Sequence, residues 1–211
     1  MIAQDDPIIF IVDDDYRMRE ALSSFVESMG FRTASFGSGC DFLEADRPDS
    51  PACLILDLEL PDISGLELQQ ELADKNAPPV IFVTGHGDVP SSVRAMKAGA
   101  VEFLSKPFDE QELQSAIETA IGIDRSARQK RSELQHLNSS YKLLTPREQE
   151  VLPFVVSGLL NKETAADLGT SEVTIRVHRG QIMRKMGARS LAELVRMADK
   201  LGIKSHGESA C

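Results

Sequence analysis

Four short, almost wholly apolar runs in the first half of the chain each stop on a polar residue. Ile8-Ile9-Phe10-Ile11-Val12 runs into Asp13-Asp14-Asp15, and Ala52-Cys53-Leu54-Ile55-Leu56 runs into Asp57; later runs end at Thr84 and at Lys106. Runs of this length between helical stretches read as strands. In an open α/β sheet, ligands bind outside the carboxyl ends of the strands, so these polar groups describe one cleft. Clustered carboxylates repel one another unless a cation sits among them, which predicts a hard divalent metal. A lysine, a hydroxyl and a metal around one carboxylate suit phosphoryl chemistry on that carboxylate.

The strand-like runs lie near 8–12, 31–35, 53–57, 79–84 and 101–105, with helical stretches near 16–29, 38–45, 64–73, 89–98 and from 109 onward. Repeated β then α implies a mostly parallel sheet with helices on both faces. The expected class is therefore α/β plus all-α: a (βα)5 domain with a five-stranded parallel sheet over 1–121, then a helical second domain. Charge divides the chain in the same way. Through position 124 there are 8 Lys and Arg against 24 Asp and Glu, whereas 125–211 hold 15 against 9, so the overall −10 conceals −16 followed by +6. The basic half is the candidate for a polyanion partner. No apolar stretch approaches the roughly 18 to 20 residues that span a bilayer, and the acidic start lacks the basic opening of a signal peptide. Cys40, Cys53 and Cys211 form an odd set without metal-ligand spacing, as expected of thiols in a reducing cytoplasm.

The segment 122–141 is polar, with good helix formers and an Asn138-Ser139-Ser140 break, and is expected to be a largely helical, solvated linker. A helical domain over 142–204 follows. Thr145-Pro146-Arg147-Glu148 is a compact helix start, and Pro153 should kink that helix. Asn161 is expected to cap a short helix ending at Leu168-Gly169, Thr170-Ser171 a helix running to about Met186, and Ser190 with Glu193 a last helix. Residues 205–211 are expected to be a disordered tail.

Val12-Asp13-Asp14-Asp15, Leu56-Asp57, Val83-Thr84-Gly85 and Ser105-Lys106-Pro107 together resemble the receiver domain of two-component response regulators. The basic half resembles the LuxR-type helix-turn-helix output domain of the NarL/FixJ class, so the resemblance covers nearly the whole chain. It implies that Asp57 accepts a phosphoryl group from a sensor histidine kinase. It also implies Mg²⁺ (or Mn²⁺) bound by Asp14, Asp57 and the backbone carbonyl of Glu59, with Asp13 acting through water. Lys106 and Thr84 would contact the phosphoryl group, and Phe103, which lacks the hydroxyl of the common tyrosine, would turn inward on switching. Glu59 and His86 would tune dephosphorylation, and the helix at 89–98 with the strand at 101–105 would carry dimer contacts. Beyond catalysing its own phosphorylation and dephosphorylation, the chain is not expected to be an enzyme.

In the second domain, Val173 and Val177 are expected to be buried, while the opposite helix face enters a major groove of double-stranded DNA. Lys162, Thr174, His178 and Lys185 would contact phosphates. Arg176 is the best candidate for a base edge, with Arg179 and Val177 sharing specificity because Gly180 replaces the family's frequent long side chain. Leu191, Leu194, Val195 and Ala198 form a stripe for packing and for pairing with a second copy on a two-fold site. RNA polymerase is a further candidate partner; a membrane is not. Two alternatives stay open. The run 10–15 also resembles the start of haloacid-dehalogenase-type phosphatases, which would make Asp13 the nucleophile, although their cap insertions and late paired acids are not evident. In the other, the first domain is merely structural in a DNA-binding protein.

Overall fold

The computed structural model describes residues 6–72, 77–85, 88–204 and 206, in two compact units divided between Arg128 and Gln129. In the first, β1 (Ile8–Val12), β2 (Arg32–Phe36), β3 (Ala52–Leu56), β4 (Val80–Thr84) and β5 (Glu102–Ser105) form one parallel sheet in the order β2-β1-β3-β4-β5. The strand order reverses between β1 and β3, which makes their carboxyl ends the switch point where such sheets bind ligands. Connecting helices are α1 (Tyr16–Ser28), α2 (Gly39–Glu44), α3 (Gly65–Leu72), α4 (Val89–Lys97) and α5 (Glu110–Lys142).

Strand residues alternate between two cores, as a period of two requires. Phe10, Val12, Leu54, Leu56 and Phe82 join a cluster containing Phe42, Leu68, Leu72 and Ala95. Ile9, Ile11, Ile55, Ile81 and Val83 join one containing Leu22, Val26, Leu113 and Ile117. Because both faces are covered, β1, β3 and β4 are buried at every position, which explains their unbroken apolar sequence.

Asp15 is the N-cap of α1: its Oδ1 accepts the Arg17 N–H at 2.9 Å. The break anticipated at 138–140 does not occur, and α5 runs to Lys142. Asn138 and Ser139 donate their side chains to the Leu134 and Gln135 carbonyls, each at 2.9 Å, so their polar groups are satisfied without leaving the helix. Asp124 on α5 is buried and accepts the Ala52 N–H at 2.9 Å and Arg128 Nε at 2.6 Å, while Arg128 also pairs with Asp49. This cluster ties the helix to the start of β3.

The second unit contains α6 (Pro146–Val156), α7 (Asn161–Asp167), α8 (Glu172–Met186) and α9 (Leu191–Lys200). Its core gathers Val151, Leu152, Val155, Ala165, Ile175, Ile182, Met186 and Leu194. A capping box between Thr145 and Glu148 opens α6, which continues through Pro153 without interruption. Asn161 is not a cap. It is the first residue of α7, and the Glu163 carboxylate reaches back to the Leu160 N–H at 2.8 Å. Of the tail, only His206 is described, and its ring stacks on Phe154 with centroids 4.0 Å apart.

Candidate phosphoacceptor site and DNA face

Asp13 and Asp57 are buried immediately beyond β1 and β3, Asp14 is exposed, and Lys106 follows β5. Lys106 Nζ lies 2.7 Å from Asp13 Oδ2 and 2.7 Å from Asp57 Oδ2. The remaining oxygens of the two acids accept backbone donors: Asp13 Oδ1 from Asp15 N at 2.9 Å, Asp57 Oδ1 from Glu59 N at 3.2 Å. Burial raises the Asp13 carboxyl, and it stays above its usual value although the Lys106 ammonium opposes the rise. Burial of Lys106 favours its neutral form, but hydrogen bonds to both carboxylates outweigh this and leave its pKa raised, so it is cationic at neutral pH.

One oxygen from each of Asp13, Asp14 and Asp57 lies within 4.8 Å of the others. Three converging hard oxygen donors are the chemistry that a hard divalent cation requires, so this donor set fits magnesium. Thr84 ends β4 and is buried, and its carbonyl accepts the Lys106 N–H at 2.8 Å. Phe103 pairs with Phe82 across β4 and β5, with rings 6.0 Å apart, and packs half-buried on the first core. Glu59 is exposed on the loop after Asp57, and His86 lies outside the described residues.

On α8 the burial pattern differs from the expectation. Val173 is 63% exposed and Val177 57%, whereas Ile175, Ile182 and Met186 are buried. Positions 175, 182 and 186 are spaced by seven and four, so they share the inward stripe and turn both valines outward. Arg176 is exposed beside them, as is Lys162 on α7, and Thr174 and His178 are half-buried. Two residues anticipated to meet DNA have partners within the unit. Arg179 donates to the Leu159 carbonyl at 3.1 Å, and Lys185 Nζ lies 2.6 Å from the buried Glu148. On α9, Leu194 and Ala198 are core, whereas Leu191 (39%) and Val195 (38%) are exposed.

Burial disfavours ionised Glu148, but hydrogen bonds from Lys185 and Thr145 outweigh it and lower its pKa below the ordinary 4.5. A lowered carboxyl contributes stability above its unfolded-state value, and that contribution is lost as pH falls through the folded-state value. Unfolding of the second unit should therefore become easier in acid below about pH 4.5. Glu148→Ala should lower its stability at neutral pH by about 3 kcal/mol and flatten that acid dependence, as read by circular dichroism melts.

Taken together, the fold and site define a receiver joined to a helix-turn-helix module. The chain matches the response regulator receiver domain family over residues 9–118 and the bacterial regulatory proteins of the luxR family over 142–198. It belongs to the response regulators of the NarL/FixJ class and is a transcriptional regulator of a two-component system. It is 48% identical to Nodulation protein W of Bradyrhizobium diazoefficiens, over 94% of this chain and 88% of that one. It is 43% identical to the transcriptional regulatory protein FixJ of Azorhizobium caulinodans, over 92% of this chain and 93% of that one. The solved structure of response regulator StyR superposes with a TM-score of 0.83 at 46% identity, covering 92% of this chain and 99% of that one.

Arg19 was not anticipated in any role at the phosphoacceptor site, where its side chain meets the Asp13 and Asp14 carbonyls.

Proposed function

We propose that this chain is a phosphorylation-switched transcription regulator in which Asp57 accepts a phosphoryl group from the phosphohistidine of a sensor kinase. An Asp57 oxygen attacks phosphorus, the phosphorus–nitrogen bond breaks, and the partner imidazole keeps the electron pair. The observation that carries the reading is the Lys106 ammonium, 2.7 Å from both Asp57 and Asp13. A fixed cation already beside the acceptor needs little rearrangement as charge develops on the phosphoryl oxygens.

Asp14, Asp57 and the Glu59 carbonyl, with Asp13 through water, would hold Mg²⁺ (or Mn²⁺). When bound, that ion supplies neutralisation of phosphoryl charge. Thr84 donates its hydroxyl to the new phosphoryl group, and Phe103 follows its movement. Glu59 and His86 tune hydrolysis, the only other chemistry assigned to the chain.

Phosphorylation then favours a dimer that binds double-stranded DNA. An exposed stripe on α4, Val89, Val93 and Met96, supports pairing of receivers, and Leu191 with Val195 supports pairing of the output units. Both oxygens of Asp13 and both of Asp57 are engaged alike, so mapping the phosphorylated aspartate is what separates this reading from a phosphatase with Asp13 as nucleophile.

Selection of sites from a random DNA pool, before and after treatment with acetyl phosphate, tests the function. The treated protein should enrich a two-fold symmetric sequence from which Arg176 reads a base, with affinity that falls steeply with salt. Equal enrichment by treated and untreated protein would refute the switch.

A further inference from the structure

In the loop that carries Asp13 and Asp14, the Lys106 ammonium and the Asp15 N–H hold the Asp13 carboxylate, and the Arg19 N–H holds the Asp15 carbonyl. Asp13 N reaches the Phe36 carbonyl at 3.3 Å, and the Asp15 and Arg17 N–H groups are turned onto acid side chains. Three consecutive carboxylates at 13–15 favour opening the loop, since like charges at this spacing repel. Arg19, one turn into α1 and half-buried, reaches back over this loop. Its Nη1 donates to the backbone carbonyl of Asp13 at 2.7 Å and to that of Asp14 at 2.9 Å. The guanidinium carbon lies 5.6 Å from the Tyr16 ring centroid, and a Cβ at Gly37 would come 3.5 Å from Nη1. The guanidinium therefore rests between an aromatic ring and a glycine while engaging two successive peptide carbonyls.

We propose that Arg19 is a positioning residue for the acidic cluster. It fixes the main chain of Asp13 and Asp14 so that their carboxylates converge with Asp57 before a divalent cation arrives. Charge-assisted bonds from a planar guanidinium are strong and directional, so one side chain sets two adjacent peptide planes. Without it, the two acids must be gathered at the moment of binding, and affinity falls even though no cation ligand has been removed. The inference rests on the reading of this cluster as a divalent-cation site.

The test uses the full chain with Arg19→Ala, Arg19→Lys and, as a control, Asp14→Asn, titrated with magnesium and followed by amide chemical shifts. Thermal midpoints are taken in chelator. Arg19→Ala should bind magnesium about tenfold more weakly, and Arg19→Lys should recover part of that loss. Both should melt near the wild-type midpoint without metal, while amide exchange at 13–16 quickens in the alanine variant. At saturating magnesium, acetyl phosphate labelling of Arg19→Ala should return to the wild-type rate, because the acceptor and Lys106 are untouched. Unchanged affinity in Arg19→Ala would overturn the proposal. So would a loss accompanied by a matching fall of the metal-free midpoint, which would mark simple destabilisation. Wild type and Asp14→Asn both failing to respond to magnesium would instead overturn the cation site itself.

Discussion

Lys106→Ala is expected to slow labelling of Asp57 by acetyl phosphate about 100-fold, the usual loss when one preorganised positive or donor group is removed from a developing oxyanion. The lysine bridges Asp57 and Asp13 at 2.7 Å each, so its loss also leaves two buried carboxylates facing each other. Repulsion between them and the burial of Asp13 would push the Asp13 carboxyl further up, favouring a proton there. Labelling time courses at saturating magnesium measure the effect. A rate within about threefold of wild type, under 1 kcal/mol of transition-state stabilisation, would remove Lys106 from the chemistry.

Gly65→Ala should damage the site from behind. A Cβ at this position would lie 2.2 Å from the Asp57 carbonyl oxygen and 3.1 Å from the Leu58 Cα, and backbone on that side cannot swing away as a flexible side chain can. The Gly65 N–H also donates to the Leu58 carbonyl at 2.9 Å, so the first turn of α3 and the loop after Asp57 move together. The expected cost is about 3 kcal/mol of receiver stability, with a parallel fall in labelling. Gly180→Ala is the contrasting case. Its Cβ would meet open space in the middle of α8, so it should stabilise the second unit by about 1 kcal/mol without altering phosphorylation. Thermal melts and labelling of the two variants separate these outcomes.

The receiver was legible because its strands are buried on both faces. Continuous apolar runs follow from that burial, and a polar residue after each run can only lie at the carboxyl edge of the sheet. Fold class and the neighbourhood of Asp13, Asp57, Thr84 and Lys106 followed directly. The second unit was less legible. Val173 and Val177 have the spacing of a buried face, and only the competing positions Ile175, Ile182 and Met186 decide which side turns inward. In sequence Lys185 looks like a phosphate contact and Arg179 like a share of the base readout, yet a buried Glu148 and the Leu159 carbonyl hold them. Side-chain partners 20 or 37 residues away leave no local mark, and neither does Arg19, whose acceptors are peptide carbonyls common to every residue.

The most direct measurement is labelling of wild type and Asp57→Asn with radioactive acetyl phosphate, with DNA affinity determined on the same preparations. Label should appear on the wild type alone, and only the labelled protein should gain affinity for its selected site, by a factor between about 5 and 150. Equal labelling of the asparagine variant, or full labelling of the wild type with unchanged DNA affinity, would contradict the account.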